Sequence, residues 1–142
     1  MKEKVLFLAK KLESDMVSWR RTLHRNPELS FEEHETTSFI SEKLKSFGCE
    51  NVKIGFGPIS TGLTAEIGSS LPGDVTALRA DIDALPINEE TSHEWRSCRD
   101  GVSHACGHDA HAAILLAAAS ILSELKDELK KPVRLIFQPA EE

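Results

Sequence analysis

The segment that most restricts how this chain can fold is a long predicted helix, from His108 to about Leu129. Its first half includes the run AAILLAAASIL, which is apolar nearly all the way round. A helix without a polar face has to be covered on several sides, so we predict that it is buried. Other layers of secondary structure must therefore surround it.

The remaining elements alternate between helix and strand. Helical spacing runs from Lys2 to roughly His24 and again from Glu32 to Phe47, where Gly48 signals the helix end. Strand-like runs are predicted from Asn51 to Phe56, Gly62 to Ile67, Val75 to Ile82 and Val133 to Phe137. Residues 86–103 read as an irregular loop. The alternation predicts an α/β fold with a parallel or mixed sheet and helices on both faces.

Size and composition exclude several classes of protein. With 142 residues, 40% hydrophobic and 28% charged, the chain is typical of one soluble domain able to bury about 70% of its unfolded surface. A net charge of −6 with scattered basic residues argues against nucleic acid as a partner. Neither a signal peptide nor a membrane span is indicated, so no membrane partner is expected. Three cysteines without a C-x-x-C pair are typical of reduced thiols, which predicts a cytoplasmic protein.

Metal-binding residue types are concentrated in the run SHACGHDAHAA, residues 103–113. Thiolate and imidazole are ligands that zinc and its first-row neighbours prefer. We therefore predict that Cys106 and His108 hold a divalent metal (zinc, manganese, cobalt or nickel rather than calcium) at the first turn of the long helix. The positive end of that helix is expected to lower the pKa of the Cys106 thiol. Gly107 should ease a close approach of the backbone to the metal.

Alternatives remain for the rest of this run. The purely structural interpretation is a buried free cysteine beside a capping aspartate, Asp109, with histidines that form hydrogen bonds to backbone groups. His111 lies one turn along the helical face of His108, where it could be a ligand, a substrate contact or a supporting group. His104 is equally open.

Carboxylates follow two of the predicted strands. Asp81 and Asp83 are two residues apart, so both should leave the same face of their strand, and Arg79 can pair with one of them. Asp83 can accept a hydrogen bond from a ligating histidine and fix its tautomer, as is common around zinc. A solvated strand end with an Arg–Asp ion pair is the alternative.

A second acidic pair, Glu141 and Glu142, follows the strand that begins at Val133. Neighbours in an extended chain point in opposite directions, so the two glutamates should take different roles, with Pro139 aiming the pair. One can bind metal while the other acts as a general base toward water. In α/β sheets, ligands bind beyond the carboxyl ends of strands. The two aspartates, Cys106 with His108, and the two glutamates all fall where a strand ends or a helix begins.

Other conspicuous residues are expected to be structural. His24 and His34 lie in the polar stretch RRTLHRNPELSFEEHETT, between two helices, and such histidines are more often caps or surface residues than ligands. Trp19 and Trp95 are expected to serve in packing.

Four segments together resemble one family: RRTLHRNPELSFEEHET, ALRADIDALPI, SHACGHDAHAA and LIFQPAEE. In this order and spacing they are similar to the amidohydrolase branch of the zinc-dependent aminoacylase/carboxypeptidase (metallopeptidase) family. Members include hippurate hydrolases, N-acyl-diaminopimelate deacetylases and auxin-conjugate hydrolases. The resemblance implies a zinc-exopeptidase-like mixed sheet flanked by helices. It also implies hydrolysis, by metal-bound hydroxide, of the amide between an acyl group and an amino acid.

The resemblance also implies roles for individual residues. Cys106, His108 and Glu142 match metal ligands, Glu141 matches the general base, and Asp83 matches an aspartate that supports the metal site. A histidine often stands at the position of Asp81 in the wider family, which argues against direct ligation by Asp81.

Length is where this chain departs from the family. Its members continue to nearly four hundred residues, with two further histidine ligands and a lid or dimerisation domain, and they form homo-oligomers. Residues 1–142 are therefore expected to be the N-terminal part of the catalytic domain, incomplete at the C-terminus, without the lid and inactive alone. The expected substrate is an N-acyl-amino acid or a related small amide. The alternatives are a carboxypeptidase acting on peptides, or a non-catalytic fragment that binds metal weakly or associates with a partner.

Overall fold

The computed structural model describes the whole chain, Met1–Glu142. Helices α1 and α2 are followed by α3, a β1–β2 hairpin, strand β3, a long loop, helix α4, a short 3-10 helix and strand β4. Their bounds are α1 Lys2–Lys11, α2 Glu13–Arg25, α3 His34–Ser46, β1 Glu50–Phe56, β2 Ile59–Ile67, β3 Thr76–Asp81, α4 His108–Glu124, the 3-10 helix Lys126–Glu128 and β4 Val133–Gln138.

The four strands form one mixed sheet in the order β1-β2-β4-β3. Strand β4 pairs antiparallel with β2 and parallel with β3. Because β3 and β4 run in the same direction, their carboxyl ends meet at one edge, with Asp81 opposite Gln138. The carboxylates that follow the two strands are therefore brought close together. The predicted mixed α/β sheet flanked by helices is confirmed.

One part of that prediction is wrong, because the helices of this chain pack on a single face of the sheet. Alternate residues of β2 and β4, such as Leu63, Leu135 and Phe137, are fully buried in one cluster with residues of α2, α3 and α4. The opposite face carries charged side chains instead, including Glu66 paired with Arg134. Strand alternation, with one face apolar and the other polar, produces this arrangement.

Helix α4 is buried as predicted, with Leu116 and Ala119 fully inaccessible. It ends earlier than expected, at Glu124, and the 3-10 turn carries the chain on toward β4. The single predicted N-terminal helix is divided in two at Leu12, although the backbone bonds Leu12 N–H to Leu8 O and Met16 N–H to Leu12 O continue through the break. No helix combines the length and the apolar character needed to cross a membrane.

Candidate metal centre

His108 is the first residue of α4, and its imidazole is buried. Its Nδ1 faces only acceptors, the Asp83 carbonyl oxygen at 3.0 Å and Asp83 Oδ1 at 3.1 Å. Nδ1 must therefore carry the proton and donate it to Asp83. Nε2 is left with a free lone pair on the opposite side of the ring, which is the form in which histidine binds metals.

Asp83 is itself buried and uses both carboxylate oxygens. While Oδ1 accepts from His108, Oδ2 accepts from the Ser30 hydroxyl and from the Glu142 backbone N–H, both at 2.9 Å. One carboxylate thus joins the start of α4 to the segment that follows β4. Its position just beyond β3 makes this possible, because β3 and β4 end side by side.

Two acidic side chains lie close to the free Nε2 of His108. Glu141 Oε2 is 3.7 Å away and Glu142 Oε1 is 3.9 Å away. These separations are too long for hydrogen bonds. They suit donors that share a cation, given metal–ligand distances of about 2.0–2.3 Å to each.

The potential donors form two groups of three that share His108. Cys106, His108 and Glu142 offer one ligand atom each within 4.8 Å of one another, and so do Asp81, His108 and Glu141. Every residue that the sequence analysis assigned to the metal site or to its support therefore lies around one imidazole. Asp81 lies there too, with its Oδ1 also accepting from Arg79 at 2.6 Å and 2.9 Å. The predicted Arg79–aspartate pair is thus present.

Cys106 differs from expectation in two respects. It precedes α4 rather than lying in its first turn, because Gly107 separates it from His108 with a φ of 104°. Its thiol pKa is raised rather than lowered, first because the thiol donates a hydrogen bond to Glu142 and then because of burial and the neighbouring negative charges. The effect of the local carboxylates on the thiol pKa therefore outweighs that of the helix terminus.

Gly107 is required by its backbone angle and not by crowding, since no protein atom lies within 4 Å of the place its Cβ would occupy.

Glu141 and Glu142 do not point in opposite directions as predicted, since both carboxylates approach His108. The chain is no longer extended there: β4 ends at Gln138, and Ala140 has a left-handed backbone with a φ of 52°. The Ala140 N–H donates to the carboxylate of Glu33 at 2.8 Å. Sequence reasoning missed Glu33, because a glutamate in a polar stretch gives no sign of burial.

His24 is not a surface or cap histidine as predicted. Its ring is buried, with Nδ1 2.8 Å from Asp109 Oδ2 and Nε2 3.1 Å from Glu89 Oε1. Arg20 also binds the Asp109 carboxylate, at 2.7 Å. Burial alone would raise the pKa of Glu89, but hydrogen bonds from Ser97, from Thr91 and from His24 together lower it to about 2.

The remaining histidines lie outside both donor groups. His104 is buried with neither ring nitrogen hydrogen-bonded, and burial lowers its pKa to about 4. His111 is exposed, with its ring centre 5.9 Å from that of His108. His34 is exposed at the start of α3, as predicted. Trp19 packs in the core as predicted, whereas Trp95 lies in the long loop, where its ring stacks with that of His93 and contacts the guanidinium of Arg21.

The donor groups lie outside an apolar surface cavity that adjoins α1 and α4. This cavity, of about 480 Å³, lies between α1 and the end of α4 and is lined mainly by apolar side chains such as Val5, Ile121 and Leu125. Cys106, Glu141 and Glu142 are instead exposed. The thiol and the two glutamates of the centre are therefore accessible to solvent, whereas His108 is buried.

Comparison with known proteins matches residues 77–142 to peptidase family M20/M25/M40, and all residues of both donor groups fall in that stretch. The chain carries part of an M20 peptidase family domain. An N-acyl-L-amino acid amidohydrolase of Geobacillus stearothermophilus is 45% identical over 99% of this chain and 37% of the relative. An N-acetyl-L-cysteine deacetylase of Bacillus subtilis is 50% identical over 92% of the chain and 31% of the relative.

Solved structures agree with this M20 assignment. A Bacillus subtilis protein described as a dinuclear metal binding peptidase from the M20 family superposes with a TM-score of 0.86 at 45% identity, over 93% of this chain and 36% of that one. A crystal structure from methicillin-resistant Staphylococcus aureus gives a TM-score of 0.90 at 43% identity, over all of this chain and 37% of the other. The chain spans about a third of the length of the relatives it matches.

Proposed function

We propose that this chain is the N-terminal part of the catalytic domain of a metal-dependent N-acyl-amino-acid amidohydrolase. One observation carries the proposal. The His108 imidazole is fixed by Asp83 at Nδ1 and presents Nε2 to a thiol and a carboxylate, those of Cys106 and Glu142. M20 relatives with this segment include an amidohydrolase and a deacetylase that are named for N-acylated substrates.

The residues present fit a divalent metal. Three carboxylates, those of Asp81, Glu141 and Glu142, converge on one imidazole, and a cation would offset their mutual repulsion. The pKa of the Cys106 thiol is raised first by its hydrogen bond to Glu142, and the surrounding negative charge disfavours the thiolate further. A bound cation would reverse that effect and release the thiol proton. Sulfur and nitrogen donors favour zinc, manganese, cobalt or nickel over calcium.

When bound, such a metal would polarise the amide carbonyl and activate water. The roles of this chain's residues follow from their positions. Cys106, His108 and Glu142 would hold the ion, and Asp83 would keep His108 in the correct tautomer. Glu141 is exposed beside Nε2, so we assign it to accept a proton from water and to return it to the leaving amine.

Carboxypeptidase activity on peptides is the second candidate function. Thermostable carboxypeptidase 2 of Saccharolobus solfataricus is 44% identical over 99% of this chain and 35% of the relative. Both reactions cleave an amide beside an amino acid, so the same donors would serve either one.

Calorimetric titration of metal-free protein tests the metal site. Zinc should bind far more tightly than calcium, and Cys106→Ala should weaken zinc binding by at least about tenfold. Cys98→Ala is the matched control, since Cys98 is an equally exposed free cysteine. Equal affinity for calcium and zinc, or equal effects of the two substitutions, would contradict the assignment.

A further inference from the structure

The short segment that leaves β4 is held at two backbone N–H groups by two buried carboxylates. The Ala140 N–H donates to Glu33 at 2.8 Å, and the Glu142 N–H donates to Asp83 at 2.9 Å. Glu141 lies between these two anchors. Asp83 belongs to the metal site already described, but Glu33 lies at the start of α3 and its side chain accepts a hydrogen bond only from Ala140, which is not a potential metal ligand.

Glu33 occupies a position where a side-chain oxygen ordinarily accepts from the free N–H groups of the first helical turn. It is the N-cap residue of α3, yet its side chain makes no cap hydrogen bond. The carboxylate of Glu28 caps the helix instead, because it accepts hydrogen bonds from the N–H groups of Glu35 at 3.1 Å and Thr36 at 2.8 Å. The Glu33 carboxylate is thereby free to reach Ala140, which is 107 positions away in the chain.

Stabilisation of α3 does not explain why a glutamate occupies this buried position. The residue is fully buried, and its Oε2 has no hydrogen-bond partner. A buried acceptor without a partner costs about 1–3 kcal/mol, so an apolar residue would serve packing better. What the carboxylate does accomplish is to fix Ala140 in a left-handed conformation that non-glycine residues seldom adopt.

The backbone around Ala140 decides where Glu141 and Glu142 point. An extended chain would send them to opposite sides, whereas the left-handed turn lets both carboxylates approach Nε2 of His108. We propose that Glu33 is a positioning residue, whose bond to the Ala140 N–H holds this turn and so keeps Glu142 within reach of the metal that His108 binds. This inference rests on the proposed metal site.

Zinc titration of the 142-residue chain tests the inference. Glu33→Ala should weaken zinc binding by about tenfold or more, in the range seen when residues that orient ligands are removed. Glu33→Gln keeps an acceptor oxygen for Ala140, so it should restore most of the affinity. Glu28→Ala is the matched control, since it removes another buried glutamate of the same segment that does not contact Ala140. Equal losses in Glu33→Ala and Glu28→Ala would reduce Glu33 to a structural residue and overturn the proposal.

A double-mutant cycle separates positioning from general destabilisation. If Glu33 acts through Glu142, then Glu33→Ala should weaken zinc binding little further once Glu142→Gln has removed the ligand. Additive losses would overturn the proposal. Absence of zinc binding by the unsubstituted chain would instead overturn the proposed metal site.

Hydrogen exchange offers a test that needs no variant. The Ala140 amide should exchange slowly in the unsubstituted protein, because it is bonded to a buried carboxylate. Exchange at the rate of a free amide would overturn the proposal even if Glu33→Ala failed to fold.

Discussion

Asp83 is the residue on which the geometry of the centre depends most. It fixes the His108 tautomer with one oxygen, and it anchors the Glu142 backbone with the other. A single carboxylate therefore orients two of the three donors in the first group. An amide in its place could accept with only one of its two polar atoms.

Asp83→Asn should weaken zinc binding by about 10–100-fold. Either the His108 Nδ1–H or the Glu142 N–H would then face an amide NH₂ instead of an oxygen. Calorimetry measures the affinity, and nitrogen NMR of the imidazole shows whether the Nδ1-protonated form persists. Asp127→Asn, at an exposed aspartate of the 3-10 helix, is the control. Unchanged affinity in Asp83→Asn would exclude a supporting role.

His104 should make the metal-free chain less stable as pH falls from about 6.5 to 4. Its pKa is lowered to about 4 by burial when folded and returns to about 6.5 when unfolded. Between these values the unfolded state binds more protons, so acid favours unfolding, with a slope of at most about 1.4 kcal/mol per pH unit. Above about pH 6.5, His104 is neutral in both the folded and the unfolded state, so the chain keeps its full stability with respect to this residue. The lowered pKa of Glu89 contributes only at lower pH, between about 4.5 and 2.

Urea denaturation across that pH range measures the effect. His104→Gln should flatten the dependence of the unfolding free energy on pH. His34→Gln should not, because His34 is exposed. Equal slopes for the unsubstituted chain and His104→Gln would contradict the prediction.

Residue types and spacing indicated the potential donors, but they did not indicate two buried residues elsewhere in the fold, Glu33 and His24. Cys106, His108 and the glutamate pair stand out because their residue types and spacing are unusual in so short a chain. Glu33 and His24 did not stand out, since each is a common polar residue in a polar stretch. Their partners lie 107 and 85 positions away, and only the assembled fold brings them together. The raised pKa of the Cys106 thiol likewise depends on a residue distant in the sequence, Glu142.

At the scale of elements, the hairpin of β1 and β2 supports the exit of β4. Gly62 lies under Pro139, and a Cβ on this glycine would be 2.4 Å from Pro139 Cδ and 2.8 Å from the Phe137 oxygen. Thr37 of α3 accepts a hydrogen bond from the Gly62 N–H at 2.9 Å. Strand β2 therefore packs against the start of the turn that carries the glutamate pair, and α3 binds the backbone of β2 at this point.

Gly62→Ala should destabilise the fold by about 3 kcal/mol, from the left-handed backbone and the overpacking together. Gly57→Ala isolates the backbone cost, because Gly57 also has a positive φ but nothing lies within 4 Å of its Cβ position. That control should lose only about 1 kcal/mol. Urea denaturation compares them, and similar losses would mean that the close approach to Pro139 is unimportant.

The positions of the strands were predicted well, because alternation and turn residues depend directly on local structure. The face of the sheet on which the helices pack was not predicted correctly. Helical periodicity shows that a helix has an apolar face, but it does not show which sheet face receives that side. Charged residues such as Arg134 and Glu66 lie on the face without helices.

At the scale of the molecule, each donor group contains only three protein residues. Catalytic zinc sites commonly pair three protein ligands with water, but a substrate also has to be held against them. In this chain Cys106, Glu141 and Glu142 are exposed while His108 is buried, and an apolar cavity of about 480 Å³ lies elsewhere, beside Ile121. The geometry therefore supports metal binding more strongly than it supports turnover.

We expect the 142-residue chain alone to hydrolyse N-acetyl- and N-benzoyl-amino acids at a negligible rate, even with zinc or manganese added. Release of the free amino acid measures this. Turnover that is abolished by chelator and by Glu141→Gln would show that these residues suffice. Glu141→Gln keeps size and hydrogen bonding but cannot accept a proton, so any true activity should fall about 10²–10⁴-fold.

Because the two donor groups share one imidazole, the number of metal ions that the chain can bind tightly is limited. The Nδ1 of His108 is committed to Asp83, so only Nε2 can bind an ion, and one lone pair serves one ion. The Cys106–Glu142 pair and the Asp81–Glu141 pair are thus rivals for the same nitrogen. Titration of this chain should saturate at a single tightly held equivalent, with any second equivalent taken up much more weakly.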